Sequence, residues 1–322
     1  MPDLKTFFRK SLHSAGGMRI FRLMNRKGVR VLLYHRFSEE SNGLEWQCEY
    51  IRRNYHPISL DSYGEAISKG ERVPPDSIIV TVDDGYRDFL HAHPVFARYD
   101  IPCTVYLVTD FIDGKTWLWW NQLEYAFSNS THNSLTLSVG EEQISVSLDG
   151  AEQRLEACKH IADAMTRVED SERLMLMKKV PELLEVEIPD KPPPQWAPLE
   201  WSAIRKLTNE GVSFGAHTKT HPILSRLNEP CKQQEEIVES KVRIEQQLGL
   251  NVRHFCYPNG SYSDFNDYSI ELVQSSGYQT ATTTVRGLNY PDTQLFLLRR
   301  IGVEPDLPKN YFVELLAGAR KR

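Results

Sequence analysis

Seven short β-rich runs, several of them separated by helix-like stretches, constrain this 322-residue chain more than any other feature. They are VRVLLYH (29–35), SIIVTVDD (77–84), CTVYLV (103–108), VSFGAH (212–217), VRHFCYP (252–258), YQTATTT (278–284) and FLLRRIGV (296–303). Helical patterns in YRDFLHAHPVFARYD, EWSAIRKLTNEG and EEIVESKVRIEQQLG precede the third, fourth and fifth runs. Strands that alternate with helices build βαβ units, so the pattern predicts a mostly parallel α/β sheet or barrel. The length suits one large barrel or two ordinary domains.

The alternation stops between about 112 and 198. That stretch opens with WLWWNQLEYAF and continues through SLTLSVGEEQISVSL, which has the pattern of a hairpin. A long helical pattern then runs through MTRVEDSERLMLMKKVPELL, and PDKPPPQWAP forms a proline-rich, semi-rigid exit. Residues 29–322 are therefore expected to form one barrel, interrupted by a mainly helical cap at 112–198. Trp117, Trp119, Trp120, Trp196 and Trp201 cluster at the edges of the cap, where packing suits most of them and stacking on sugar rings is the alternative.

Polar residues fall at the C-terminal ends of the runs. His35 follows the first, Asp83 and Asp84 the second, His217 the fourth, and the turn YPNG the fifth. In parallel barrels this end is where loops assemble an active site. Taken alone, TVDDG (81–85) is also an ordinary Asp-Gly turn signal. HTKTH places His217 and His221 four residues apart, on one face if the segment is helical; alternatively, these are two unrelated loop histidines. Two histidines and one aspartate make a facial triad that leaves coordination positions open. Adjacent aspartates leaving a strand diverge, so one can bind a metal while the other faces water.

TVDDG resembles the T-F-D-D-G motif of polysaccharide deacetylases, the NodB-homology domain of carbohydrate esterase family four. HTKTHP resembles that family's H-[ST]-x-x-H motif, and FCYPNG its third motif, which ends P-[YW]-G. The three occur in the family order, across roughly 30–112 and 199–303. The resemblance implies a distorted (β/α)7 barrel and a metal-dependent hydrolase that removes N-acetyl groups from an amino-sugar glycan. It makes Asp83 the general base and Asp84, His217 and His221 the ligands of one divalent ion, with zinc first and cobalt or nickel as alternatives. The turn Tyr257, Pro258, Asn259 and Gly260 would supply an oxyanion donor. Cys256 stands where the family has arginine, and Asn259 where it has an aromatic residue. Arg300 is a candidate to orient the base in place of the missing arginine. The late D-x-x-D-W and L-x-H motifs are not recognisable. LLYHRF resembles the early segment of the poly-N-acetylglucosamine deacetylases, which makes His35 the candidate general acid. Exopolysaccharide assembly would suit such an enzyme. Rival readings are an amidohydrolase for small amides on the same barrel and a carbohydrate-binding pseudoenzyme.

A formal net charge of −5 argues against a nucleic-acid partner. Cys48, Cys103, Cys158, Cys231 and Cys256 contain no CxxC pair and read as reduced thiols. Basic residues interrupt the apolar ones in residues 1–28, so no signal-peptide core is present, and a cytoplasmic protein is expected. Leu4, Phe7, Phe8 and Leu12 fit one face of a basic amphipathic helix within 1–28. Such a helix either packs on its own domain or touches an anionic membrane surface.

Overall fold

The computed structural model describes residues 17–39 and 42–319. Their strands are β1 (Arg30–Tyr34), β2 (His56–Pro57), β3 (Ser77–Val82), β4 (Cys103–Leu107), β5 (Ser134–Val139), β6 (Glu142–Ser147), β7 (Ser213–Ala216), β8 (His254–Cys256), β9 (Thr280–Arg286) and β10 (Leu298–Gly302). Seven of them, in the order β1–β3–β4–β7–β8–β9–β10, pair in parallel, and β10 returns to β1 to close a barrel. All seven are the runs read from the sequence. The two-residue β2 adds beside the start of β3, and residues 287–297 join β9 to β10 without a helix. These two features distort the plain strand–helix repeat.

Strand alternation explains what reaches the lumen. On β3, Ile78, Val80 and Val82 pack outward against Phe89, Ala92 and Phe96 of helix Phe89–Arg98. Ile79 faces inward with Val31, Tyr106, Cys256 and Leu298. A period of two then carries Thr81 and Asp83 inward after Ile79, and Arg300 inward after Leu298. Gly215 also faces inward, where an added Cβ would come within 2.6 Å of Tyr106 and 2.7 Å of the His254 carbonyl. The next inward residue in that register is His217.

The segment between β4 and β7 builds a second apolar cluster. Helix Trp119–Asn129 contributes Leu123 and Phe127, the β5–β6 hairpin Leu137 and Ile144, and helices Ala151–Met165 and Asp170–Leu183 contribute Ile161, Met165 and Val180. The long helical pattern read through residue 165 onward is broken at 166–169. Thr166 caps one helix through its hydroxyl, which donates to the Asp163 carbonyl at 2.6 Å, and Asp170 and Glu172 favour a new helix N-terminus. The proline-rich exit is tied to the barrel: Leu199 N–H donates to Gly85 O and Arg87 N–H to Ala197 O, both at 2.8 Å. Among the described residues, no helix is long and apolar enough to cross a membrane. Leu4, Phe7, Phe8 and Leu12 lie outside the described residues, which begin with helix Gly17–Met24.

Candidate active site

At the end of β3 the chain does not turn back as a hairpin. Asp84 and Gly85 both take positive φ, 74° and 82°, and the chain leads on to helix Phe89–Arg98. A Cβ on Gly85 would sit 2.8 Å from Leu107 and 2.9 Å from Ile112, so this crossing admits only glycine. The sharp turn buries both carboxylates, Asp83 at 1% and Asp84 at 2% exposure, and both approach His217 Nε2, Asp83 Oδ2 at 3.9 Å and Asp84 Oδ1 at 3.6 Å.

Arg300 holds Asp83 in a two-pronged grip. Nη1 donates to Oδ1 at 2.6 Å and Nη2 to Oδ2 at 2.7 Å. The guanidinium is itself fixed, donating to the Thr283 carbonyl at 2.7 Å and to Thr81 Oγ1 at 3.2 Å. Burial alone would raise the Asp83 pKa, but the paired Arg300 outweighs it and holds the carboxyl well below its usual range. Cys256, at the position of the expected arginine, lies with its sulfur 3.1 Å from Arg300 Nη2 and 3.5 Å from Asp83 Oδ2. The arginine thus reaches the base from β10 instead of β8, and the small thiol leaves room for it.

The two histidines meet through a strained turn instead of a helical face. Thr218 and His221 have φ of 65° and 63°, and His221 N–H donates to Thr218 Oγ1 at 3.1 Å. For a β-branched residue such as Thr218 this region is a genuine outlier. The turn brings the His217 and His221 Nε2 atoms to 3.2 Å from each other. Asp84 Oδ1 lies 3.6 Å from the first and 3.7 Å from the second.

This trio fits a metal ion. Three donors at about 2.0–2.1 Å from a tetrahedral centre lie roughly 3.3–3.4 Å apart, close to the spacing found. His217 Nδ1 bonds the Cys256 carbonyl at 2.7 Å, which sets the ring with Nε2 bare toward the trio. Burial lowers the pKa of both rings and so favours the neutral form that metal ligands need. Asp84 Oδ1 is buried with no hydrogen-bond partner, and burial raises the pKa of this carboxyl. A cation between the three groups would relieve that cost. Asp83, His217 and Cys256 also converge, but Asp83 is engaged by Arg300, and burial keeps the Cys256 thiol protonated.

These groups line a cavity of about 500 Å³ that also receives His35, Tyr257 and Asn259. His35 Nε2 lies 3.9 Å from Asp83 Oδ2, and 45% of its side-chain surface remains exposed. The cavity walls lower its pKa and Asp83 works against them. In the turn after β8, Asn259 and Gly260 have positive φ, and a Cβ on Gly260 would meet Thr284 N at 2.8 Å. Tyr257 N–H donates to Thr282 O and Gly260 N–H to Pro258 O. Proline has no N–H, so Asn259 carries the remaining backbone donor of this turn.

The cap segment reaches the same cavity through Trp120, Asn121 and Glu124. Trp120 sets its ring against His221, centroids 4.6 Å apart, and donates from Nε1 to the Tyr86 hydroxyl at 3.2 Å. Tyr86 in turn donates to Asn121 Oδ1 at 2.5 Å. Trp117, Trp119 and Trp196 are buried in packing, and Trp201 donates to Asp113 at 2.8 Å. Trp120 therefore departs from the packing role expected of most of this group. Its only signal in sequence was a place among clustered aromatics.

Residues 182–281 match the family model for polysaccharide deacetylases. No curated protein sequence matches the chain. Among solved structures, the Streptococcus pyogenes deacetylase PplD in complex with acetate aligns with a TM-score of 0.58 at 18% identity, over 90% of this chain and 98% of its own. IcaB from Ammonifex degensii aligns with a TM-score of 0.57 at 17% identity, over 90% and 97%. The BpsB deacetylase domain from Bordetella bronchiseptica aligns with a TM-score of 0.55 at 16% identity, over 86% and 96%. At such identities these likenesses establish the fold, the barrel that the family resemblance implied and one of the two forms that the alternating pattern left open.

Proposed function

We propose that this chain, whose residues 182–281 match the polysaccharide deacetylase model and whose barrel shares the fold of solved deacetylases, hydrolyses N-acetyl groups from an amino-sugar glycan with the aid of one divalent metal ion. One observation carries this reading: the Arg300-held Asp83 and the donor trio Asp84, His217 and His221 open into a single cavity. PplD and the BpsB domain, which share this fold, are deacetylases, which supports the same reaction class.

In this proposal Asp84, His217 and His221 hold the ion, zinc first and cobalt or nickel as alternatives. When bound, such an ion supplies Lewis-acid chemistry, making water more acidic and polarising the amide carbonyl. Asp83 accepts the proton of the attacking water; Arg300 fixes its direction while leaving carboxylate lone pairs free. The new C–O bond places negative charge on the former carbonyl oxygen, and the Asn259 N–H is positioned to stabilise it. His35, 3.9 Å from Asp83, protonates the departing nitrogen as the C–N bond breaks, drawing on the proton that Asp83 took from water, and acetate and a free amino sugar are released. Trp120 and Tyr86, brought together by the cap and the turn after β3, form one wall of the substrate space.

Acetate release from N-acetylated chito-oligosaccharides tests the reading. Chelator should abolish it and added Zn²⁺ restore it. Release from simple acetamides alone would favour a small-molecule amidohydrolase. Sugar binding without hydrolysis by metal-loaded protein would favour a binding module.

We further propose a cytoplasmic protein that contacts an anionic membrane face. Helix Gly17–Met24 exposes Ile20, Leu23 and Met24 beside exposed Arg19, Arg26 and Lys27, a composition suited to a lipid interface. The five cysteines are free, four of them buried, which suits a reducing compartment. Co-sedimentation with anionic but not zwitterionic vesicles, lost in an Ile20→Asn/Met24→Asn double variant, is the expected result. Equal recovery with both vesicle types would contradict the contact.

A further inference from the structure

The strained turn that presents His217 and His221 has to be held by something, because its backbone takes positive φ at Thr218 and at His221. Such conformations cost about 1–3 kcal/mol each and persist only when the surroundings over-determine them. Part of the hold is local. Thr218 Oγ1 accepts from His221 N–H, and from outside the turn, just after β4, Asp110 N–H donates to the Lys219 carbonyl at 2.9 Å. The backbone N–H groups in the middle of the turn are held from a third element. Glu236, nine-tenths buried, accepts from Lys219 N–H at 2.9 Å and Thr220 N–H at 2.8 Å through Oε2, and from Thr220 Oγ1 at 2.6 Å through Oε1.

Glu236 lies in a single π-helical stretch, Glu235–Glu239, within the helical run 230–248. Such wide turns often mark functional positions, because they displace one residue from the regular α-helical face. Glu235 and Glu239 remain at the surface and pair with the Lys219 ammonium at 2.6 and 2.8 Å. Glu236 turns inward and spends its carboxylate on the backbone between the two histidines.

We infer that Glu236 is a positioning residue for the metal centre: its three bonds to Lys219 and Thr220 hold the 218–221 turn in the shape that aims both Nε2 atoms at one point. This rests on the metal-binding reading of Asp84, His217 and His221. Supporting groups behind metal ligands are typically worth about 10–100-fold in metal affinity. Glu236 would act on the backbone carrying the ligands instead of on a ligand ring.

The test is Zn²⁺ affinity of the metal-stripped full chain, measured by competition with a chromophoric chelator, with thermal melting of the same metal-free samples. Glu236→Ala should bind Zn²⁺ about 10–100-fold more weakly while melting close to the parent. Glu236→Gln keeps an acceptor for the two backbone N–H groups and should recover most of the affinity. Glu239→Gln, which removes only an exposed ion pair, should leave it unchanged. If Glu236→Ala does not fold, Glu236→Asp takes its place; it is too short to reach both N–H groups and should also bind more weakly. A folded Glu236→Ala or Glu236→Asp with parental Zn²⁺ affinity overturns the inference. A parent chain that binds no Zn²⁺ overturns the metal reading itself, a different result from an unaffected variant.

Discussion

Along β3, Ser77 to Val82 is buried at every residue and paired with strands on both sides. The two residues that follow are just as buried, but one carries positive φ and a carboxylate oxygen without a partner. The same contrast recurs on β7, where Gly215 and Ala216 pack quietly and the next five residues hold two positive-φ positions and both histidines. The barrel wall is therefore regular strand backbone, even where Arg30, Tyr106 and Thr282 bury a polar atom without a partner, and the rim is where positive φ and the donor trio fall together. Asp84, Thr218, His221 and Asn259, four of the seven non-glycine residues with positive φ among the described residues, sit on that rim. The contrast teaches where to look for function: substitutions in the wall should move stability, and substitutions on the rim should move metal and turnover.

The largest separation is expected from His217→Ala and His221→Ala. Each leaves two ligands, so bound metal and acetate release should both be lost in a protein that still melts cooperatively. Elemental analysis and a melting curve on one sample check this, and metal retained at parental stoichiometry would break the contrast. His35→Ala should keep fold and metal but lose about 10²–10⁴ in rate, the usual range for acid–base catalysis. Near-parental turnover in that variant would leave Asp83 to return its own proton to the leaving group. A wall substitution makes the converse case. Phe96 is fully buried against the outer face of β3, and Phe96→Ala should cost about 3–5 kcal/mol in denaturant unfolding. Its kcat below the melting transition should be unchanged.

The sequence shows the wall far better than the rim, for a physical reason. Strands buried on both faces must be apolar along their length, so runs such as SIIVTV and CTVYLV are visible without tertiary knowledge. The ends of those runs also pointed to His35, Asp83, Asp84 and His217. The sign of φ at Thr218 is different, because no local preference of threonine demands it; the turn exists only because distant groups hold it. Arg300 was a candidate through resemblance, yet its two-pronged grip on Asp83 depends on β10 closing the barrel beside β1. Glu236 was hidden for the opposite reason: in EEIVESK it looks like one more charge on a solvated helix face. In sequence Trp120 is one of five clustered tryptophans of which most suit packing, and only the tertiary path of its segment sets it against His221.

Asp83 and Asp84 are neighbours in the chain with nearly equal burial, and they carry the division of labour proposed for the rim. The decisive measurement is metal content and acetate release in Asp83→Asn and Asp84→Asn, compared side by side. Asp83→Asn should keep one metal ion per chain and lose turnover, since an amide cannot accept the proton of the attacking water. Asp84→Asn should lose the metal and turnover together. Equal metal loss in both variants, or activity that persists in Asp83→Asn, would contradict the assignment of base and ligand.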